Sequence, residues 1–227
     1  MDLERYLTER RTPRASGWLA SLARRVPQPV VQSTRNGLTR AAAAVSTRKI
    51  EAALREAEGR LHLGCGFNHL DGWLNIDRVG AHADVYWYLR RPVPLPDGAA
   101  RAVFHEHLLE HLPYVAAFQL MRECHRLTEP GGIVRVVVPD AGRRIAEYAA
   151  RNEQLLKWAP THLMAAQPLL SGYGHVSMYD AETLTMFLEK AGFDQVMVCA
   201  FGVSNLDPPP DDVGRADESL YVEAIHP

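Results

Sequence analysis

Cysteine is scarce. The 227 residues hold three, Cys65, Cys124 and Cys199, an odd number spread widely with no CxxC pair. That excludes a disulfide scaffold and a zinc finger and points to a reducing compartment. No apolar run approaches the roughly 18 residues that cross a bilayer. The opening MDLERYLTERR carries acids where a secretory signal has its apolar centre. The expected location is therefore cytoplasmic. Acidic residues are missing over one stretch: from Arg10 to Ile50 there are nine positive charges and no negative one. This suits a solvated leader, or a peripheral membrane or partner contact.

The remainder has the opposite balance. Residues 61–227 carry 13 basic and 21 acidic side chains, 13 − 21 = −8. A duplex nucleic acid is thereby disfavoured as the partner, because phosphate binding needs a basic face. Hydrophobic content of 47% supports a packed core. Residues 1–59 read as a basic N-terminal extension, partly helical. Within it Ser16–Val26 makes a short amphipathic helix and a longer helix runs from about Thr39 to Glu58, ended by Gly59.

Beyond Gly59, short apolar runs alternate with helical periods. Strands are expected at Arg60–Leu63, Trp73–Ile76, Ala83–Tyr86, Ala102–His105, Ile133–Val138, Gln195–Ala200 and Leu220–Ile225. Helices are expected at Tyr114–Leu127, Ala141–Lys157 and Ala181–Ala191. The β-branched IVRVVV run fits a strand buried on both faces of a parallel sheet. Strand–helix alternation makes residues 60–227 an α/β domain built on such a sheet. The last two strands are linked by FGVSNLDPPPDDVGRADES, which has no helical period, so they pair antiparallel.

In such a sheet, ligands bind beyond the carboxyl ends of the strands, where the strand order reverses. LHLGCG puts Gly64 and Gly66 at such an end, where glycine lets the backbone approach a ligand closely. Asp77, closing the next strand, can accept both hydroxyls of a ribose. RAVFHEHLLEHLP adds a dense set of ionisable groups after another strand, and GYGHVSMYDAETLTMFLEKAGF adds His175 in a loop before a helix.

GCG, GWLNID, VPLPDG, HLLEHL, RLTEPGGIVRVVVPD and LEKAGF, in that order, resemble the class I S-adenosylmethionine-dependent methyltransferases. The likeness is to the small bacterial branch with GCG…GW.N.D and EHL motifs, and spans about Arg60 to Pro227. It implies a Rossmann-like, seven-stranded, mostly parallel sheet with an antiparallel last strand in a three-layer α/β/α fold. It also implies S-adenosyl-L-methionine as cofactor, with Gly64, Cys65 and Gly66 along its methionine part and Asp77 on its ribose. The segment ADVYWYL, with Tyr88 and Leu89, would lie beside adenine, and His105 near the methyl group. Two positions depart from the pattern: Tyr88 and Arg101 stand where the family carries acids. The first helix is squeezed into about six residues between Gly66 and Trp73.

HLLEH also matches the HxxEH pattern of inverted zinc proteases. The preceding strand and Pro113 argue against the long helix that pattern needs. A divalent metal held by His107, Glu110, His111 and His175 is the second reading of the same residues; imidazoles acting as proton acceptors or hydrogen-bonded walls come first. The expected function is methyl transfer to a hydroxyl of a small polar acceptor, a sugar, glycan or secondary metabolite. His107 is the first choice of general base, with His111 and His175 as alternates. The polar rim, with Tyr173, Tyr179 and the acidic loop Asp207–Asp212, supports such an acceptor. A metal-using RNA-end methyltransferase and a non-catalytic cofactor-binding module are the rivals.

Overall fold

The run IVRVVV forms the middle of the sheet because its branched side chains fill both faces. In the computed structural model, which describes residues 47–78 and 82–227, seven strands form one sheet. They are β1 (Arg60–Leu63), β2 (Leu74–Asp77), β3 (Val85–Tyr86), β4 (Ala100–Glu106), β5 (Thr128–Pro139), β6 (Asp194–Cys199) and β7 (Ser219–Ile225). Their order is β3-β2-β1-β4-β5-β7-β6. Strands β1 to β5 pair in parallel; β7 inserts antiparallel between β5 and β6. The expected Rossmann-like topology and antiparallel final hairpin are both present. The order reverses between β1 and β4, which opens a crevice at their carboxyl ends.

Alternation along the strands divides the core. Leu61, Leu63, Val134, Val136, Val138, Leu220 and Val222 face one side. There they pack with Ile50 and Leu54 of α1 (Thr47–Glu56), Leu120 and Met121 of α2 (Tyr114–Leu127), and Leu184 and Leu188 of α5 (Ala181–Ala191). Each such side chain, removed from water, contributes about 1.5–3 kcal/mol. The other face carries Phe104, Val137 and Tyr221, packed with Leu70, Trp73 and Leu206 from loops. It also buries polar groups, His62, Asn75, Arg135 and Glu223.

Both α2 and α5 have the expected limits. Helix α5 is capped by Asp180, whose side chain accepts from Thr183 N–H at 2.8 Å, and ends at Gly192 with φ 115°. The single helix expected over Ala141–Lys157 is broken. Helix α3 covers Ala141–Ala149, Arg151 turns left-handed at φ 53°, and a 3-10 helix follows at Glu153–Lys157. Asn152 causes the restart, its side chain accepting from Gln154 N–H at 3.0 Å. An unexpected helix α4 spans His162–Ser171, capped by Thr161 and holding Pro168 inside it. Nor does the short helix expected after Gly66 form; that segment is a string of turns. The Ser16–Val26 helix, and the part of the Thr39–Glu58 helix before Thr47, lie outside the described residues.

Candidate active site

Strand β1 runs straight into a glycine turn. Gly64 N–H and Cys65 N–H both donate to Ile76 O, and Gly64 and Gly66 adopt φ 70° and 55°. A Cβ on Gly64 would stand 2.8 Å from the Leu108 side chain, so the turn abuts the segment that leaves β4. Gly66 N–H donates to Asp77 Oδ2 at 2.8 Å. The turn after β1, the acid ending β2 and the exit of β4 are therefore neighbours. Cys65 is buried, and burial pushes its thiol up to about 11, which leaves it a packing residue.

Asn75, the asparagine of GWLNID, takes a structural role that the motif alone does not reveal. Its amide donates to Leu70 O, Trp73 O and Asp84 Oδ2, and its oxygen accepts from Leu70 N–H. His62 Nδ1 lies 3.0 Å from the same oxygen. One buried side chain thus ties the turns that replace the missing first helix to β1 and β3's approach.

The Tyr88 ring is half-buried beneath the Arg78 guanidinium, 5.1 Å from the ring centroid, and its hydroxyl accepts from Arg90 at 3.4 Å. Leu89 packs against the main core. One expectation changes here. His105 is fully buried with neither ring nitrogen hydrogen-bonded, and burial lowers it to about 3; it belongs to the interior of the sheet and does not line the crevice. Arg101 lies at the amino end of β4, where it pairs with Glu58 at 3.1 Å. Its departure from the family pattern is therefore far from the carboxyl ends of the strands.

The histidine-rich exit of β4 folds into a cluster. His107 has φ 49°, a left-handed conformation uncommon outside glycine. Its Nε2 lies 2.8 Å from Ser219 Oγ and its Nδ1 3.5 Å from Glu110 Oε1. Burial, then the charge of Arg215, lowers His107 to about 3. Glu110 sits in the 3-10 turn Leu109–His111, is 1% exposed, and neither carboxyl oxygen has a hydrogen-bond partner. Burial pushes its carboxyl up to about 8.

The loop carrying His175 is pinned to this turn. Val176 N–H and Ser177 N–H donate to Glu110 O, and Ser177 Oγ bonds the carbonyls of Leu109 and Leu112. His175 Nε2 thereby lies 3.9 Å from Glu110 Oε1, and its ring stands 5.1 Å from that of His111. Glu110, His111 and His175 each offer a ligand atom, all within 4.8 Å of one another. His111 is the exposed member.

Glu106, ending β4, was not singled out from sequence; burial raises its carboxyl to about 7 and it accepts from Asp212 N–H. The acidic loop is spent on structure: Asp211 pairs with Arg135 and Asp212 caps a 3-10 turn. Tyr179 is 1% exposed and belongs to the core, which removes it from the rim. The protease arrangement is not formed either, since His107 precedes and His111 ends a three-residue 3-10 turn, and the two share no α-helix face.

A groove of about 830 Å³ opens at the other end of the sheet, lined by Asp97, Gln119, Arg122, Arg126 and His226 among others. It lies by the amino ends of β4 and β5, away from the glycine turn, and its Arg126 is committed to Glu123 and Asp97.

Two solved structures are similar to the chain at low identity. A SAM-dependent methyltransferase from Archaeoglobus fulgidus is 15% identical, covering 79% of this chain and 94% of its own, with a TM-score of 0.49. An S-adenosylmethionine-dependent methyltransferase from Mesorhizobium loti is 18% identical, covering 78% and 95%, with a TM-score of 0.43. No curated relative matches. The profile of the methyltransferase domain family matches residues 15–198, most of the length, and the chain belongs to that family.

Proposed function

We propose that this protein transfers the methyl group of S-adenosylmethionine to a hydroxyl of a small polar acceptor. One observation carries the reading: the glycine turn, Asp77 and the β4 exit adjoin at the carboxyl ends of β1, β2 and β4. Gly66 N–H on Asp77 fixes that carboxylate beside the turn, and Leu108 fills the space Gly64 leaves. Such a carboxylate suits the paired hydroxyls of a ribose, and the glycine turn leaves room for the cofactor's chain.

When bound, S-adenosylmethionine supplies a methyl group already made electrophilic by the sulfonium. The chain's task is to hold an acceptor in line with it and to take the acceptor's proton. Among the three candidate imidazoles, we assign the base to His111. His107 has its Nε2 on Ser219 Oγ and is lowered by burial to about 3, so it is a weak proton acceptor at neutral pH. It acts as a positioning residue, between Ser219 and Glu110. His175 faces His111 and steers its ring.

A second reading, a divalent cation at this cluster, is favoured by the convergence of Glu110, His111 and His175. Two imidazoles and a carboxylate suit a borderline divalent ion, which would acidify an acceptor hydroxyl. The unpartnered Glu110 carboxyl fits that role.

Calorimetric titration with S-adenosylhomocysteine tests the main reading. One site per chain is expected, and Asp77→Ala should weaken binding about 100-fold, the loss of two charge-assisted hydrogen bonds. A folded protein that gives no heat at millimolar ligand would overturn both enzyme and binding module. Binding without transfer to any hydroxyl acceptor would favour the module.

A further inference from the structure

Tyr173 is the most exposed aromatic residue beside the histidine cluster, and it is held in an unfavourable backbone conformation. It is 77% exposed, yet its φ is 55°. For a bulky side chain that region is a true outlier, and it persists only where surrounding contacts dictate it. Those contacts are present. His175 N–H donates to Gly172 O, Val176 and Ser177 N–H donate to Glu110 O, and the Tyr173 ring leans on His175 with centroids 6.0 Å apart. The ring beyond it is that of His111, itself exposed, 5.1 Å from His175. The result is a row of three rings, Tyr173, His175 and His111, that ends on the base assigned above.

A strained residue that buried its ring would be repaid by burial within the chain. Tyr173 buries little, so its ring is poised for something outside the chain. Its setting specifies what. It presents a largely exposed ring, with the exposed His111 imidazole in the same row of rings. One aromatic face plus hydrogen-bonding groups suits a ring with an apolar C–H face and hydroxyl edges. A planar aromatic acceptor prefers a slot with two apolar walls.

We propose that Tyr173 is a stacking platform for a sugar ring of the acceptor, which places a ring hydroxyl toward His111. This rests on the methyltransferase reading and narrows its acceptor to a pyranose-bearing molecule.

The test uses the full chain saturated with S-adenosylhomocysteine and ligand-observed saturation-transfer NMR. The probes are the methyl glycosides of glucose, galactose, mannose and rhamnose, with catechol as the planar alternative. Saturation should pass to at least one glycoside, persist in Tyr173→Phe, and fall about tenfold in affinity in Tyr173→Ala. Affinity for S-adenosylhomocysteine should be unchanged in both variants, which separates loss of the platform from loss of fold. Three results overturn the proposal: no transfer to any glycoside, equal binding by Tyr173→Ala, or stronger transfer to catechol. If the wild-type chain does not bind S-adenosylhomocysteine at all, it is the underlying methyltransferase reading that falls.

Discussion

Replacing Arg135 with alanine should destabilise the fold by about 3–5 kcal/mol. Its guanidinium is completely buried in the loop-covered face of the sheet. Nε and Nη2 each donate to Asp211 at 2.6 Å, and Nη1 donates to Glu223 at 2.9 Å and to Val203 O at 3.1 Å. The side chain also lies over the Tyr221 ring. Alanine would leave two buried carboxylates without their cation, the costly way to break such a pair. The damage should spread toward the site. Asp211 also accepts from Gly202 N–H, so it anchors the loop whose Asp212 N–H reaches Glu106. Arg135→Lys keeps the charge but loses the planar fork, and should fall between the two. Urea unfolding measures this; a loss below about 1 kcal/mol in the alanine variant would show that the network contributes little.

Replacing Glu110 with glutamine should stabilise the protein at alkaline pH and not at acid pH. The carboxyl is raised by burial from an ordinary value near 4.5 to about 8. Below 4.5 it is protonated in both folded and unfolded chains, and its favourable contribution to folding is fully present. Between 4.5 and 8 the unfolded chain releases the proton first, so stability declines by about 1.4 kcal/mol per pH unit. Above 8 the loss is complete, on the order of 5 kcal/mol. Glutamine has the same shape and no such titration, so the two proteins should match at pH 4.5 and separate by pH 9. Urea unfolding at pH 4.5, 7 and 9 measures the divergence. A glutamine variant that is weaker at every pH would mean that an ionised Glu110 has a cationic partner. Stabilisation of the wild type by Mn²⁺ or Zn²⁺, absent from the variant, would identify that partner as a metal.

Periodicity made the framework legible. Tyr114–Leu127 and Ala181–Ala191 carry regular apolar stripes, with Pro113, Asp180 and Gly192 as stops, and both helices have those bounds. All seven strands appear near their expected places because β-branched runs between polar turns leave few alternatives. The misses have local causes. Pro168 hid helix α4, which tolerates it, and Asn152 broke α3 by capping a new turn. At the candidate site, local spacing pointed to Gly64, Gly66 and Asp77, which the structure places side by side.

Burial, by contrast, is a tertiary property. His105 and His107 are two residues apart in sequence, yet one is lost in the interior and the other is bonded to Ser219, 112 residues away. The meeting of His175 with Glu110 likewise depends on a loop pinned across 65 or more residues. Tyr179 and Asp211 looked like rim groups because polarity was visible, whereas their partners in the core were not.

The shared crevice can be examined by amide hydrogen exchange, with and without S-adenosylhomocysteine. Ligand should slow exchange at residues 63–68, at Asp77 and Arg78, and at 106–111, while the groove around residues 97–98 and 119–130 stays unchanged. Protection confined to that groove, or none at the glycine turn, would contradict the account.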